Sequence, residues 1–337
     1  MRKVAVIYGG RSGEHEVSCR SAASIIAHLA AYAVTEVLID RDGDWHVDGV
    51  RAGFGGGLQA LSEVDVVFPA LHGPYGEDGT IQSVLELVGV PYVGNGVLAS
   101  AAGMDKEFTK KLLAAEGLRV ADGVVLRSGD SELTPYDRAR LGLPVFVKPA
   151  RAGSSLGVSR VDTWADLDAA LALARGADGK VLVEAAAGGR EIDVAVLQYP
   201  DGTIEAGPPL EIRVGAGRSF FDYDAKYSPG HAVFDIPARL DHATTSRLQM
   251  RALQAFTALG CRGLLRVDFF LPAAPPGGFE EPIVNEVNTF PGFTAASQFP
   301  QMWRAAGMSF ERLLDILLST AALDRGPARP AALNGTP

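Results

Sequence analysis

The sequence predicts an α/β protein, α+β in parts, built on an open parallel sheet covered by helices and followed by two mixed units. Two observations carry this. Short β-branched runs (Val4 to Ile7, Val34 to Ile39, Val64 to Phe68) alternate with helical stretches through the first hundred residues, the pattern of a parallel sheet with helices on its faces. At 337 residues the chain is also long enough for about two to three domains, each with its own core.

The elements follow in order. Ile25, Ile26 and Leu29 mark a helix after the first strand. Ile81, Val84, Leu85 and Val88 recur at helical spacing, with Asp78 as the expected N-cap and Gly89 and Pro91 as the stop. A second unit starts near Met104, where Phe108, Leu112 and Leu113 give a helix its apolar face and Gly117 ends it; strands follow at Val145 to Lys148 and Val181 to Glu184. The third unit starts near Glu191. Its long helix carries Leu248, Ala252, Ala255, Phe256 and Leu259 before Gly260, two strands come next, and a helix with Phe310, Leu313, Leu314 and Leu317 closes it. Ala273 to Gly278 reads as the turn between those strands, and Arg325 to Pro337 as a Pro/Ala/Gly tail. The expected units are 1–102, 103–188 and 189–322, with 323–337 disordered. No internal repeat is found.

A net charge of -9 gives no global attraction to nucleic acid or to an anionic membrane. Cys19 and Cys261 form no CxxC pair and no disulfide framework, which fits a reducing cytoplasm. The apolar run Val4 to Tyr8 stops at Gly9-Gly10, short of a signal-peptide core, and no stretch is long enough to span a bilayer.

Period-2 alternation in LLRVDFFL (Leu264 to Leu271) puts Arg266 and Asp268 on one face and Leu265, Val267 and Phe269 on the other. In Ile283 to Asn288 the same alternation points Val284, Glu286 and Asn288 one way. Two carboxylates and a carboxamide then face one another as hard oxygen ligands suited to magnesium. Alternation fits equally a structural salt bridge from Arg266 to Asp268 or Glu286. Lys148 at a strand end leads into Ala150-Arg151-Ala152-Gly153-Ser154-Ser155-Leu156-Gly157, either a loop whose N–H groups cover phosphates or a solvated glycine turn. It is no Walker A loop, because GxxxxGK[ST] is absent. Gly9-Gly10-Arg11-Ser12-Gly13 fails GxGxxG, which weakens a nicotinamide oxidoreductase. Glu14 and Glu16 stand at the carboxyl end of the first strand, where open sheets bind ligands; helix-dipole acids and a capping Ser18 are the plainer reading. His72 lies at the next carboxyl edge. Phe220 to Tyr227 mixes aromatic and charged residues as a lid does.

In this order, GGRSGEHEVS, LHGPYGEDG, GMDK, VKPARAGSSLG, DYDAKYSPG, RVDFF and NEVNTFPGFTAASQFP resemble the D-alanine:D-alanine ligases of the ATP-grasp superfamily, over about Val4 to Leu318. Seven motifs in register are highly specific. The resemblance implies an ATP-grasp fold preceded by the parallel α/β unit, with ATP between the second and third units. It implies Lys106 and Lys148 on nucleotide phosphates, Glu184 at the adenine hinge, Glu191 on the ribose, and Gly153 to Gly157, Ser155 included, over the phosphates. Asp268, Glu286 and Asn288 match the ligands of Mg²⁺ or Mn²⁺, two ions. Glu14 matches the acid that holds the first D-alanine's ammonium and is tied to Tyr227 and Ser154, with His72 nearby. Arg266 and the Gly292 N–H match the groups on the reacting carboxyl oxygen, Ser297 the hydroxyl for the second carboxylate, and Lys226 a γ-phosphate contact. The implied reaction joins two D-alanines through an acyl phosphate, for peptidoglycan precursor synthesis. A D-alanine:D-lactate ligase, or another ATP-grasp carboxylate-amine ligase, is the alternative, and Tyr227 favours the dipeptide. Ala185 to Ala187 and Gln298 depart from the family's usual residues. A cytoplasmic homodimer is expected.

Overall fold

A computed structural model describes residues 1–128, 132–214, 232–274 and 281–323. Lys226, Tyr227, the turn within 275–280 and the 324–337 tail lie outside the described residues.

The first sheet has strands β1 (Lys3–Gly9), β2 (Ala33–Ile39), β3 (Trp45–Val47), β4 (Val50–Arg51) and β5 (Val66–Pro69), in the order β4-β3-β2-β1-β5. β1 runs parallel to β2 and β5, while β3 and β4 add an antiparallel edge. Val4 to Ile7 are fully buried, as a central parallel strand covered on both faces requires. β1 ends on Gly9 at φ +88°, where a Cβ would stand 2.2 Å from the Ile39 carbonyl oxygen. Only glycine fits there.

Helix His15–Ala27 follows. Ser18 does not cap it: inside the helix, its hydroxyl accepts from Gly9 N (2.8 Å) and donates to Ala70 O (2.6 Å), tying the ends of β1 and β5 together. Helix Thr80–Val88 stops at Gly89 (φ +75°), but its N-cap is Gly79. Asp78 stands one residue earlier and accepts from the amides of Tyr75 and Thr80.

Strands β6 (Gly123–Leu126), β7 (Val145–Pro149), β8 (Ser159–Val161) and β9 (Val181–Ala185) form an antiparallel sheet in the order β6-β9-β7-β8. With helix Leu167–Arg175 it encloses a separate apolar core around Leu126, Val147, Leu171 and Val183. Helix Lys106–Ala115 corrects the apolar face expected for it. Phe108 and Leu112 are 51% and 41% exposed, while Glu107, Thr109, Lys110 and Leu113 are buried. Ion pairs to neighbouring elements, not apolar contacts alone, turn this helix inward.

The third sheet, β10 (Arg190–Gln198), β11 (Ile204–Ala206), β12 (Leu210–Val214), β13 (Ala232–Asp235), β14 (Leu264–Leu271) and β15 (Ile283–Asn288), is antiparallel in the order β13-β12-β10-β14-β15, with β11 on β10. One face buries Val194, Leu265, Val267 and Phe269 with Leu248, Ala252, Ala255 and Phe256 of helix His242–Ala258. The opposite face packs Ala195, Leu197 and Leu264 with helices Gln298–Ala305 and Phe310–Leu323 and with Val4, Ile25 and Phe68 of the first unit. That core joins the first and third units.

β15 corrects the expected alternation. Its register shifts between Asp268 and Phe269: Glu286 pairs with Asp268 and Asn288 with Arg266, but Val284 pairs with Phe269. Asn285 is the extra residue of a β-bulge. Val284 therefore joins the core, 1% exposed, while Glu286 and Asn288 face the opposite side.

Candidate active site

At the carboxyl ends of β1 and β5 and the cleft end of β14 and β15 lies a cavity of about 730 Å³. It is lined by Glu14, His72, Lys106, Gly153, Ser154, Arg266, Glu286, Asn288, Gly292 and Ser297, among others. Residues far apart in sequence thus meet in one place. Lys148, Ser155, Glu184, Glu191 and Asp268 do not line it, although Lys148, Glu184 and Asp268 are buried close by.

Glu14 precedes helix His15–Ala27 without capping it; its carboxylate instead accepts from the Ser154 hydroxyl across the cleft. Two glycines make room. A Cβ on Gly73 would stand 2.5 Å from Glu14 Oε2, and one on Gly153 2.8 Å from the same oxygen. Ser154 and Ser155 take φ of +52° and +58°, a left-handed conformation that non-glycine residues adopt at a cost and that clusters at functional loops. The loop is anchored by Arg151, which grips Asp178 through two hydrogen bonds of 3.0 and 2.7 Å.

His72, 4% exposed, shares a 2.9 Å hydrogen bond with Ser21 Oγ and packs its ring at 5.7 Å from that of Phe290. Ser297 Oγ accepts from Thr294 N at 3.0 Å. A Cβ on Gly292 would be 3.4 Å from Ser297 Oγ, so the chain passes close to that hydroxyl.

Arg266 donates to both oxygens of Asp268, at 2.7 and 2.8 Å, and Asn288 Nδ2 donates to Asp268 Oδ2 at 2.9 Å. The salt bridge that strand alternation left open therefore forms. Burial opposes the Arg266 charge, but Asp268 and then Asp193 outweigh it and hold the guanidinium above its usual pKa. Asp193, 1% exposed, is a neighbour the sequence reading missed. It pairs with Asp268 across β10 and β14 and lies 3.4 Å from Arg266 Nε. Glu191 is on the same face two residues earlier, opposite Phe270. Gln298 Oε1 accepts from Arg266 Nη1 at 3.0 Å.

Lys106 donates to Ala152 O (2.8 Å) and pairs with Glu286 (3.3 Å), linking the glycine loop to the metal-candidate face. Lys148 pairs with Glu184 (2.7 Å) and donates to Asn285 Oδ1 (3.2 Å). Glu184 also pairs with Lys110 at 2.9 Å. Lys110 and Asn285 were not legible as site residues: one sits on a helix read by its apolar positions, the other in a bulge.

The donor set of Asp268, Glu286 and Asn288 fits a hard divalent cation, being all oxygen and set on two paired strands. Asn288 turns its amide nitrogen to Asp268, which leaves its Oδ1 as a ligand atom. Among the described residues no group of three His, Cys, Asp or Glu side chains forms a metal cluster. Two carboxylates and an amide suit an ion that takes further ligands from phosphates and water.

An antiparallel sheet faced by a glycine loop from a second α+β unit defines an ATP-grasp enzyme. Solved structures with this fold include the VanG D-Ala:D-Ser ligase of Enterococcus faecalis (TM-score 0.81, 36% identity, 95% of this chain and 99% of that one). A Bacillus anthracis D-alanine:D-alanine ligase complexed with ATP gives a TM-score of 0.77 at 29% identity, over 95% of this chain and 97% of that one. Models of the D-ala D-ala ligase N-terminus match residues 3–54 and 52–95, and that of its C-terminus matches 112–319. The D-alanine:D-alanine ligase of Nocardia farcinica is 50% identical over 96% of this chain and 98% of its own; that of Mycolicibacterium smegmatis is 49% identical over 95% of each. The chain belongs to the D-alanine:D-alanine ligase family. No described helix is long and apolar enough to cross a membrane.

Proposed function

We propose that this chain joins two D-alanines to D-alanyl-D-alanine at the expense of ATP, through an acyl phosphate. The observation that supports this best is the meeting of Glu14 and Ser154 with Arg266, Gly292 and Ser297 around one cleft. An acid at one end and a cation with a hydroxyl at the other suit a zwitterionic amino acid on each side of the bond to be made.

In this reading Glu14, oriented by Ser154, holds the ammonium of the first D-alanine beside His72. A carboxylate oxygen of that D-alanine attacks the γ-phosphorus, and the bond from that phosphorus to ADP breaks. Lys106, Lys148 and the amides of Gly153 and Ser155 hold the phosphates, Lys226 reaches the γ-phosphate, Glu184 faces the adenine and Glu191 the ribose. Mg²⁺ or Mn²⁺, two ions, would be held by Asp268, Glu286 and Asn288 and would neutralise phosphate charge. Ser297 takes the carboxylate of the second D-alanine, whose amine attacks the acyl carbon. Arg266 and the Gly292 N–H stabilise the oxyanion of the tetrahedral intermediate until phosphate leaves. Tyr227 favours an amine acceptor. We extend the proposal to a cytoplasmic homodimer whose chain divides into units at 102/103, 188/189 and 322/323.

The test is phosphate release from Mg-ATP, with the product identified by mass. Release is expected with D-alanine and not with L-alanine. Equal release with both, or none with either, defeats the reading.

A further inference from the structure

Lys110 is the residue that the chemistry above leaves over. It is 8% exposed on the inward side of helix Lys106–Ala115, whereas the next residue, Lys111, has a side chain 64% exposed. Its Nζ is 2.9 Å from Glu184 Oε1, while the other oxygen of Glu184 is 2.7 Å from Lys148. Two buried ammonium groups thus share one buried carboxylate. Their situations differ. Lys148 has a second acceptor in Asn285 Oδ1 and sits at the end of β7, beside the glycine loop. Among the described residues Lys110 has Glu184 as its one ion-pair partner.

We propose that Lys110 is a positioning residue for the nucleotide base: it holds Glu184 ionised and in place when Lys148 leaves Glu184 for the phosphates. The proposal rests on the reading of Lys148 and Glu184 as nucleotide contacts. Without Lys110, that departure would strand a buried carboxylate, which takes up a proton rather than stay charged. The consequence is selectivity. An ionised carboxylate only accepts hydrogen bonds, so it favours a 6-amino purine, which donates, and repels a 6-oxo purine, which presents a lone pair. A protonated carboxyl group donates and loses that preference. Burial pushes the Lys110 ammonium down to about 8. Burial also works to raise the Glu184 carboxyl, and the two lysines together outweigh it.

The experiment compares the full-length enzyme with Lys110→Met and Lys110→Arg, measuring kcat and KM for ATP and for ITP at saturating D-alanine. ADP binding by calorimetry gives a readout independent of turnover. In Lys110→Met, KM for ATP and the dissociation constant of ADP should rise about tenfold, kcat should change much less, and the ATP:ITP preference should shrink by about the same factor. Lys110→Arg should recover most of it. Should Lys110→Met fail to fold, Lys110→Gln keeps a polar group against Glu184 while removing the charge, and its ATP:ITP preference tests the same point. A folded Lys110→Met, or Lys110→Gln in its place, that keeps the wild-type ATP:ITP ratio overturns the proposal. So does equal loss with both nucleotides, the mark of a merely structural lysine. Wild-type enzyme that binds no ADP defeats instead the nucleotide reading beneath it.

Discussion

The carboxylate of Glu14 is confined by glycines on two sides. It approaches the backbone at Gly73 and at Gly153 so closely that a methyl group at either would displace it. In the proposed role that carboxylate must meet a substrate ammonium in one position, and small misplacements of a binding group cost rate steeply. Gly153→Ala should lower kcat/KM for D-alanine by roughly 10- to 100-fold, with little change in melting temperature because Gly153 is half-buried in a loop. Steady-state kinetics over a D-alanine series measure it, and an unchanged kcat/KM would remove Glu14 from the substrate site. Arg266 offers the opposite design: a cation with three partners, Asp193, Asp268 and Gln298. A metal ion drawing on Asp268 would still leave Asp193 to balance it.

At the scale of elements, the sequence was legible where burial is apolar and the period unbroken. β1 and β5, the alternation of β14, and helix His242–Ala258 with its Leu248, Ala252, Ala255 and Phe256 face stand where hydrophobic periodicity put them. It was misleading where burial is ionic. Helix Lys106–Ala115 presents Phe108 to solvent and Lys110 to the interior because Glu184 lies beneath it, and no pattern within ten residues encodes a partner seventy residues away. The motifs in register gathered ten of the proposed site residues into one cavity, while Asp193 escaped because it belongs to none of them. The bulge at Asn285 shows the limit of period-2 reasoning, which counts every residue. Here the ladder skips one: Glu286 faces Asp268 and Val284 faces Phe269 with Asn285 unpaired between them. Deleting Asn285 should therefore leave both pairs intact and shift the melting temperature by less than about 4 °C, while nucleotide affinity changes because Lys148 loses an acceptor. Deleting Val287 instead would turn Glu286 toward the core and unfold the sheet. Calorimetric melting and ADP titration of both variants decide this, and equal damage from the two would refute the bulge.

For the whole molecule, the distribution of apolar cores matters more than the three sheets. Phe68 of the first unit packs its ring 5.9 Å from Phe290 and 5.6 Å from Phe293 of the third, whereas the core around Val147 and Leu171 keeps to its own sheet and helix. Phe68→Ala should cost about 3–5 kcal/mol and should be felt on both sides of that seam. Hydrogen exchange is expected to quicken in β1 and in helix Phe310–Leu323 while β7 and β9 keep their protection; Leu171→Ala should do the reverse. Uniform acceleration in both variants would mean that the cores are not separate.

The seam also bears on how such a protein can be recombined. Anyone transplanting pieces between relatives would have to move the first and third units together, since each completes the other's interior. The sheet of β6 to β9 with helix Leu167–Arg175, whose core is its own, is the exchangeable cassette, while Leu113 and Leu118 stay with the third unit's core, provided that a lysine meets every carboxylate the cassette presents to the cleft.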